Sequence, residues 1–228
     1  MLIGNRKSLN KCNQLNLNVN GKKLEQVNYV KYLGVSVDAE LNWNTQVESV
    51  CKKVSKMVSF MGRLRHIINE QSMNLIYKSF ILPQFDYADI VWDSGKRNHV
   101  NMIQKLQNRA GRLILKINPY SHTSTHQVHQ TLQWDYIVSR RKQHLLQLVY
   151  KALHDMTPSY LTDKFERKEN SYSLQSNFNL YLQIPRTNFC KRMVSYRGSR
   201  EFNSLPLSIK KAASIDIFKR SLQEHISF

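Results

Sequence analysis

Between residues 99 and 117 the chain repeats its apolar side chains at steps of three and four: Val100, Ile103, Leu106, Ala110, Leu113, Ile114 and Ile117. At about 100° per residue they share one stripe of an α-helix, so the segment has to lay that stripe against other apolar elements. Lys105, Arg109, Arg112 and Lys116 recur at steps of four, three and four on the nearly opposite side. No Asp or Glu stands between Asp93 and Asp135 to neutralise them. A helix with one apolar and one uniformly basic face needs a bundle behind it and water or a polyanion in front.

The rest of the chain supplies that bundle. Residues 44–68 read as a long helix with Val47, Val50, Cys51, Val54, Val58, Met61 and Ile68 inward and Lys52, Lys53, Lys56 and Arg63 outward. Asn44 or Thr45 is the expected N-cap, with Glu48 in the first turn. Residues 73–82 form a second helix that Pro83 kinks or ends, and residues 85–92 can resume it before a loop at 93–98. Residues 136–154 form a further amphipathic helix, with Ile137, Leu145, Leu148, Val149 and Leu153 inside. Arg140, Arg141 and Lys142 near its start oppose the helix dipole, a conflict that a bound phosphate would relieve. Beyond it come a helical turn at 158–165, an irregular, partly extended run at 166–188, and ordered segments at 189–206 and 214–226. Ser214 caps the last of these, with Asp216 in its first turn.

The first 37 residues carry a different period. Leu15, Leu17 and Val19 alternate with polar residues, Asn20-Gly21 is a strong hairpin signal, and 24–27 offers a return strand. Residues 30–38, VKYLGVSVD, form a β-rich run whose interior Gly34 suggests a bulge or a close approach by another backbone or a ligand. The fold class is therefore α+β, mainly α: a small N-terminal β-hairpin or sheet followed by a helical bundle.

The balance of 34 basic against 16 acidic residues, a net +18, favours a nucleic-acid partner, because phosphate neutralisation rewards many dispersed cations. Bases concentrate at 52–65, 96–116 and 186–200, and Tyr120, Trp134, Tyr136, Tyr196 and Phe202 are near enough to offer stacking. The apolar faces match one another as in a bundle, which disfavours a membrane-surface role. Cys12, Cys51 and Cys190 are far apart and form neither a disulfide framework nor a zinc knuckle pattern. With no run of 18 apolar residues and no signal-peptide core, an intracellular protein of nucleus or cytoplasm is expected.

Two constellations invite an enzymatic reading. Tyr87-Ala88-Asp89 resembles half of a polymerase Tyr-x-Asp-Asp turn, but two-metal chemistry needs paired carboxylates and the next residue is Ile90. Asp86 and Asp89, three apart, can share a helix face, where apolar neighbours favour partnered structural carboxylates. His122, His126 and His129 have a spacing that could pair two imidazoles, set among Ser and Thr residues typical of a loop. Either set could serve an enzyme of unrecognised type.

Four blocks in order, VKYLGVSVDAELNW with the helix ending GRLRHI, LIYKSFILPQFDYADIVW, IQKLQNRAGRLIL and FNSLPLSIKKAASIDIFKRSL, resemble the C-terminal part of reverse transcriptases of animal non-LTR retrotransposons of the jockey and CR1 kind. The resemblance runs from about residue 28 to 226. It implies a residual palm or primer-grip-like β element at 1–40, a thumb-like helical bundle at 41–156, and a C-terminal extension with short helices at 157–228. In that family the Tyr-x-Asp-Asp turn precedes the tract resembling 32–35, so Tyr87-Ala88-Asp89 stands on the wrong side, and residues 1–4 resemble the strand just after the missing turn. The catalytic palm and its Mg²⁺ would then lie outside this chain, leaving no cofactor here. The implied function is a polymerase fragment that grips RNA or an RNA/DNA hybrid. Tyr32, Leu33 and Gly34 would meet the primer end, and Lys52, Lys53, Lys56, Lys105, Arg109, Arg112, Lys116, Arg140 and Arg141 are candidates for phosphate contacts. The alternative is a non-catalytic protein-interaction module or a decayed transposon remnant without selected activity.

Overall fold

The computed structural model describes residues 1–11, 16–118, 121–168, 178–187 and 189–226. Cys12, Leu15 and Tyr120 lie outside the described residues. The architecture is α+β and mainly helical, with two small antiparallel sheets at the N-terminus and helices thereafter. Two compact units form, one of Met1–Ala88 with Trp92–Val128, the other of Asp89–Val91 with His129–Phe228. Among the described residues no helix is long and apolar enough to cross a membrane.

In the first unit, residues 1–4 are not a strand; a single bond from Gly4 N to Ala39 O ties them down. Helix α1 (Arg6–Lys11) replaces the expected extended start, with Asn5 Oδ1 accepting from Ser8 N at 2.8 Å as its cap. Asn20 and Gly21, both at positive φ, join β1 (Asn18–Val19) to β2 (Lys22–Lys23), the hairpin their dipeptide predicts. Leu24 adds one bond to Leu17, but 24–27 is no strand. The run 30–38 is not one bulged strand. It is a second hairpin, β3 (Tyr29–Tyr32) and β4 (Val35–Asp38), in which Leu33 (φ 45°) and Gly34 (φ 80°) make the two-residue turn. A glycine between apolar residues signals turn and bulge alike; here the matched twist of a mirror-image turn wins.

The Asp38 carboxylate ends the hairpin and starts the bundle. It accepts from the backbone N–H groups of Glu40, Asn42 and Trp43, the last at 2.7 Å. Trp43, at φ 63°, is the N-cap of α2 (Asn44–Leu64) and gives no side-chain bond. The cap is thus borrowed from Asp38 rather than supplied by Asn44 or Thr45, and Glu48 lies beyond the first turn. Val47, Val54, Val58 and Met61 are buried, with Val50, Cys51 and Ile68 half-buried at the margin.

Helix α3 (Glu70–Ile76), capped by Asn69, runs into a π turn (Tyr77–Ile81) and α4 (Leu82–Asp86). Met73, Tyr77, Ile81 and Phe85 are all buried at steps of four. Each such step overshoots an α-helical turn by about 40°. The wider π turn, closed by Leu82 N–H to Tyr77 O, absorbs the drift and leaves Pro83 within the first two positions of α4, where its missing donor costs little.

The basic helix is α6 (Arg97–Ile114), three residues shorter than expected at its C-terminal end; Lys116 lies past it at φ 50°. His99 sits with Nε2 2.8 Å from Asn44 Oδ1, and a Cβ on Gly62 would stand 3.8 Å from Leu113. Start meets start and end meets end, so α2 and α6 pack side by side and parallel. Ile103, Ala110 and Ile114 are fully buried. Burial of that kind contributes about 1.5–3 kcal/mol for each large aliphatic side chain.

In the second unit, α8 (Ile137–Leu153) is the central strut, packed by α9 (Ser159–Thr162), α10 (Val194–Asn203) and α12 (Ile215–Ile226). Its core gathers Leu146, Val149, Tyr150, Phe202, Phe218 and Leu222, among others. A Cβ on Gly198 would lie 2.7 Å from Val149 Cγ2 and 2.8 Å from Phe165 Cε1, so α10 crosses α8 only as glycine. Asn203 clamps the backbone of Leu180 from both sides, at 2.7 and 2.9 Å. Lys210, in α11 (Leu207–Lys210), donates to Asn179 Oδ1 and Asn203 O, and burial lowers its pKa. Ser214 Oγ accepts from Ile217 N, with Asp216 in the first turn of α12 as expected.

Candidate nucleic-acid interface

Neither enzymatic constellation keeps the arrangement that its spacing suggests. Tyr87 is extended and Ala88 left-handed (φ 52°), so Asp86 ends one helix and Asp89 begins another, α5 (Asp89–Trp92). The two carboxylates therefore share no helix face. Asp89 is buried, accepts from Ile90 N, and takes a 2.7 Å bond from His144 Nδ1. Of the three histidines, His129 is buried, stacked on Tyr136 at 4.3 Å with its Nδ1 3.3 Å from Trp134 O. His122 and His126 are exposed, the latter in α7 (Thr125–Leu132).

The hairpin tip projects into solvent. Tyr32 is 68% and Leu33 74% exposed, whereas Val35 is buried. The tip is held from behind: Tyr87 Oη donates to Leu33 O at 2.7 Å, and its ring lies 3.4 Å from where a Cβ on Gly34 would be. The approach read from Gly34 is thus made by the protein's own tyrosine. Nothing in the sequence announces that contact across 54 positions.

On α2, Lys52, Lys53 and Lys56 are exposed, and the Arg63 guanidinium lies 5.5 Å over the Phe60 ring. On α6, Lys105 and Arg109 are exposed, but Arg112 is half-buried and donates to Thr123 O at 2.6 Å. Lys116 is exposed beyond the helix, so the expected row of four keeps two members free on the helix surface. Because α2 and α6 start together, a rise of about 1.5 Å per residue puts Lys52 and Lys56 at the same level as Lys105 and Arg109. Lys96, which carries no signal of its own in the sequence, is spent inside the unit on Asn42.

In the second unit Arg140 is half-buried and Arg141 only 6% exposed, which withdraws it from the surface. Lys142 pairs with Glu201 at 2.9 Å. Burial pushes the Glu201 carboxyl up, yet hydrogen bonds and charge from Arg200 and Lys142 outweigh it and hold the group below its ordinary range. Of the aromatic candidates, Trp134 and Phe202 are buried, while Tyr136 and Tyr196 are half-buried.

Curated proteins share parts of this sequence. The chain is similar to the probable RNA-directed DNA polymerase from transposon BS of Drosophila melanogaster, 26% identical over 137 residues, covering 54% of the chain and 15% of that protein. It is similar to the corresponding probable enzyme of the X-element of the same species, 28% identical over 92 residues, covering 39% and 10%. A third relative, the RNA-directed DNA polymerase from mobile element jockey of Drosophila funebris, is 30% identical over 99 residues, covering 42% and 11%. The matches thus span no more than about a seventh of the length of these relatives. No family model and no solved structure matches.

Proposed function

We propose that this chain, a region related to the RNA-directed DNA polymerases of jockey-like non-LTR retrotransposons, serves as a thumb-like grip that holds an RNA/DNA duplex by its phosphates. The observation that carries the reading is the parallel pair α2 and α6, on which exposed Lys52 stands at the level of Lys105 and Lys56 at that of Arg109, with no carboxylate on either exposed face between them. Such contacts position a duplex and read little sequence. Tyr32 and Leu33, projecting from a braced turn, are suited to the end of a strand, and Lys53 extends the basic face. Mg²⁺ and synthesis belong on this reading to a polymerase centre outside this chain, which supplies grip alone.

Titration of a labelled RNA/DNA hybrid against the full chain over a salt series tests this. Replacing Lys52, Lys56, Lys105 and Arg109 together by Gln should weaken binding and flatten the slope of log affinity against log salt by about 0.9 for each phosphate that is no longer neutralised. Unchanged affinity and slope in that variant would defeat the proposal.

A further inference from the structure

The second unit holds a cleft of about 550 Å³ between α9, the extended run 181–186 and α10. Its floor is apolar, with Phe165 buried in the core and Val194 half-buried. Ser199, 3% exposed, lines it too and adds a hydroxyl to an otherwise apolar floor. Two aromatic rings line the opening, Tyr181, 56% exposed, and the half-buried Tyr196, with Arg186 exposed alongside.

The charge on these walls is uneven. Asp163 and Glu166 lie on the α9 side with Lys164 between them. Across the cleft the one charged residue of the lining is Arg186, with no carboxylate beside it. An apolar peptide would cover the floor and gain nothing from Arg186. A duplex has no ring faces to offer, because its bases are already stacked on one another. A single strand uses every feature: rings for Tyr181 and Tyr196, phosphate for Arg186, and a ribose or base edge for Ser199.

We infer that this cleft binds single-stranded nucleic acid, stacking a base or two on Tyr181 and Tyr196 with the adjoining phosphate held by Arg186. The inference shares with the proposed function the premise of a nucleic-acid partner, but it uses none of the same residues. The test is titration of labelled oligouridine and, separately, labelled RNA/DNA hybrid against the full chain. The double variant Tyr181→Ala, Tyr196→Ala should lose about ten- to a hundredfold in affinity for oligouridine and bind the hybrid as before. The Tyr181→Phe, Tyr196→Phe variant, which keeps the rings, should retain oligouridine binding.

The Gln variant of α2 and α6 should do the reverse and lose the hybrid while keeping the single strand, so the two readings fail separately. Unchanged oligouridine binding in the alanine variant, as a peptide-binding cleft would give, overturns the inference. So does an equal loss for both ligands, or a loss in the Phe variant as large as in the Ala variant. If circular dichroism shows the alanine variant unfolded, Arg186→Gln, an exposed change, takes its place, with an expected loss of about threefold or more for oligouridine alone.

Discussion

Leu33 occupies a backbone region that L-residues other than Asn, Asp and Gly visit at a cost, and it does so with its side chain in solvent. Asn at that position suits the same turn, so Leu33→Asn should raise stability by about 1 kcal/mol in urea unfolding. If the tip touches a strand end, the same change should weaken hybrid binding. Two helical glycines give opposite predictions from one measurement. Ala at Gly62 meets Leu113 only at van der Waals distance, and the gain in helix propensity should stabilise by about 0.5–1 kcal/mol. Ala at Gly198 has the same propensity gain but collides with Val149 and Phe165, so overpacking of about 1–3 kcal/mol should prevail. Asp38→Ala strands three backbone donors at the start of α2 and should cost about 1–3 kcal/mol.

Among elements, α8 and α10 are joined at the surface by Lys142 and Glu201, and the sign of the pH effect follows from the carboxyl. Its pKa is lower folded than unfolded, so its contribution is present above the ordinary glutamate range near 4.3 and is lost as pH falls through the lower folded value. The urea midpoint of wild type should therefore fall more steeply than that of Glu201→Gln between neutral and acid pH. Helices α2 and α6 show how far periodicity reaches: spacing alone points Val54, Val58, Ile103 and Ile114 inward, and all are fully buried. Periodicity also points Arg112 and Lys116 outward, but a carbonyl at Thr123 engages the first and a left-handed turn removes the second from the helix. The step-of-four run from Met73 to Phe85 reads as one kinked helix, and only packing on both sides of Pro83 selects a π turn there.

For the whole molecule, a net charge of +18 calls for binding that weakens steeply with salt. Its distribution, rather than its size, is what the proposed duplex grip on α2 and α6 and the proposed single-strand cleft beside α10 rest on. The amino-acid sequence by itself determined the α+β class, the turn at Asn20-Gly21, the inward stripes of the long helices, and the strong excess of positive charge. Those properties are local or additive: periodicity, turn chemistry and charge act over a few residues or as sums. The tertiary structure alone decided that Asp38 caps α2, that Tyr87 braces Gly34, that Arg141 is buried, and that Tyr181, Arg186 and Ser199 line one cleft. Each depends on side chains brought together by packing, or on which side of a helix the core claims, and pairwise contacts between distant positions leave no periodic trace in a single chain.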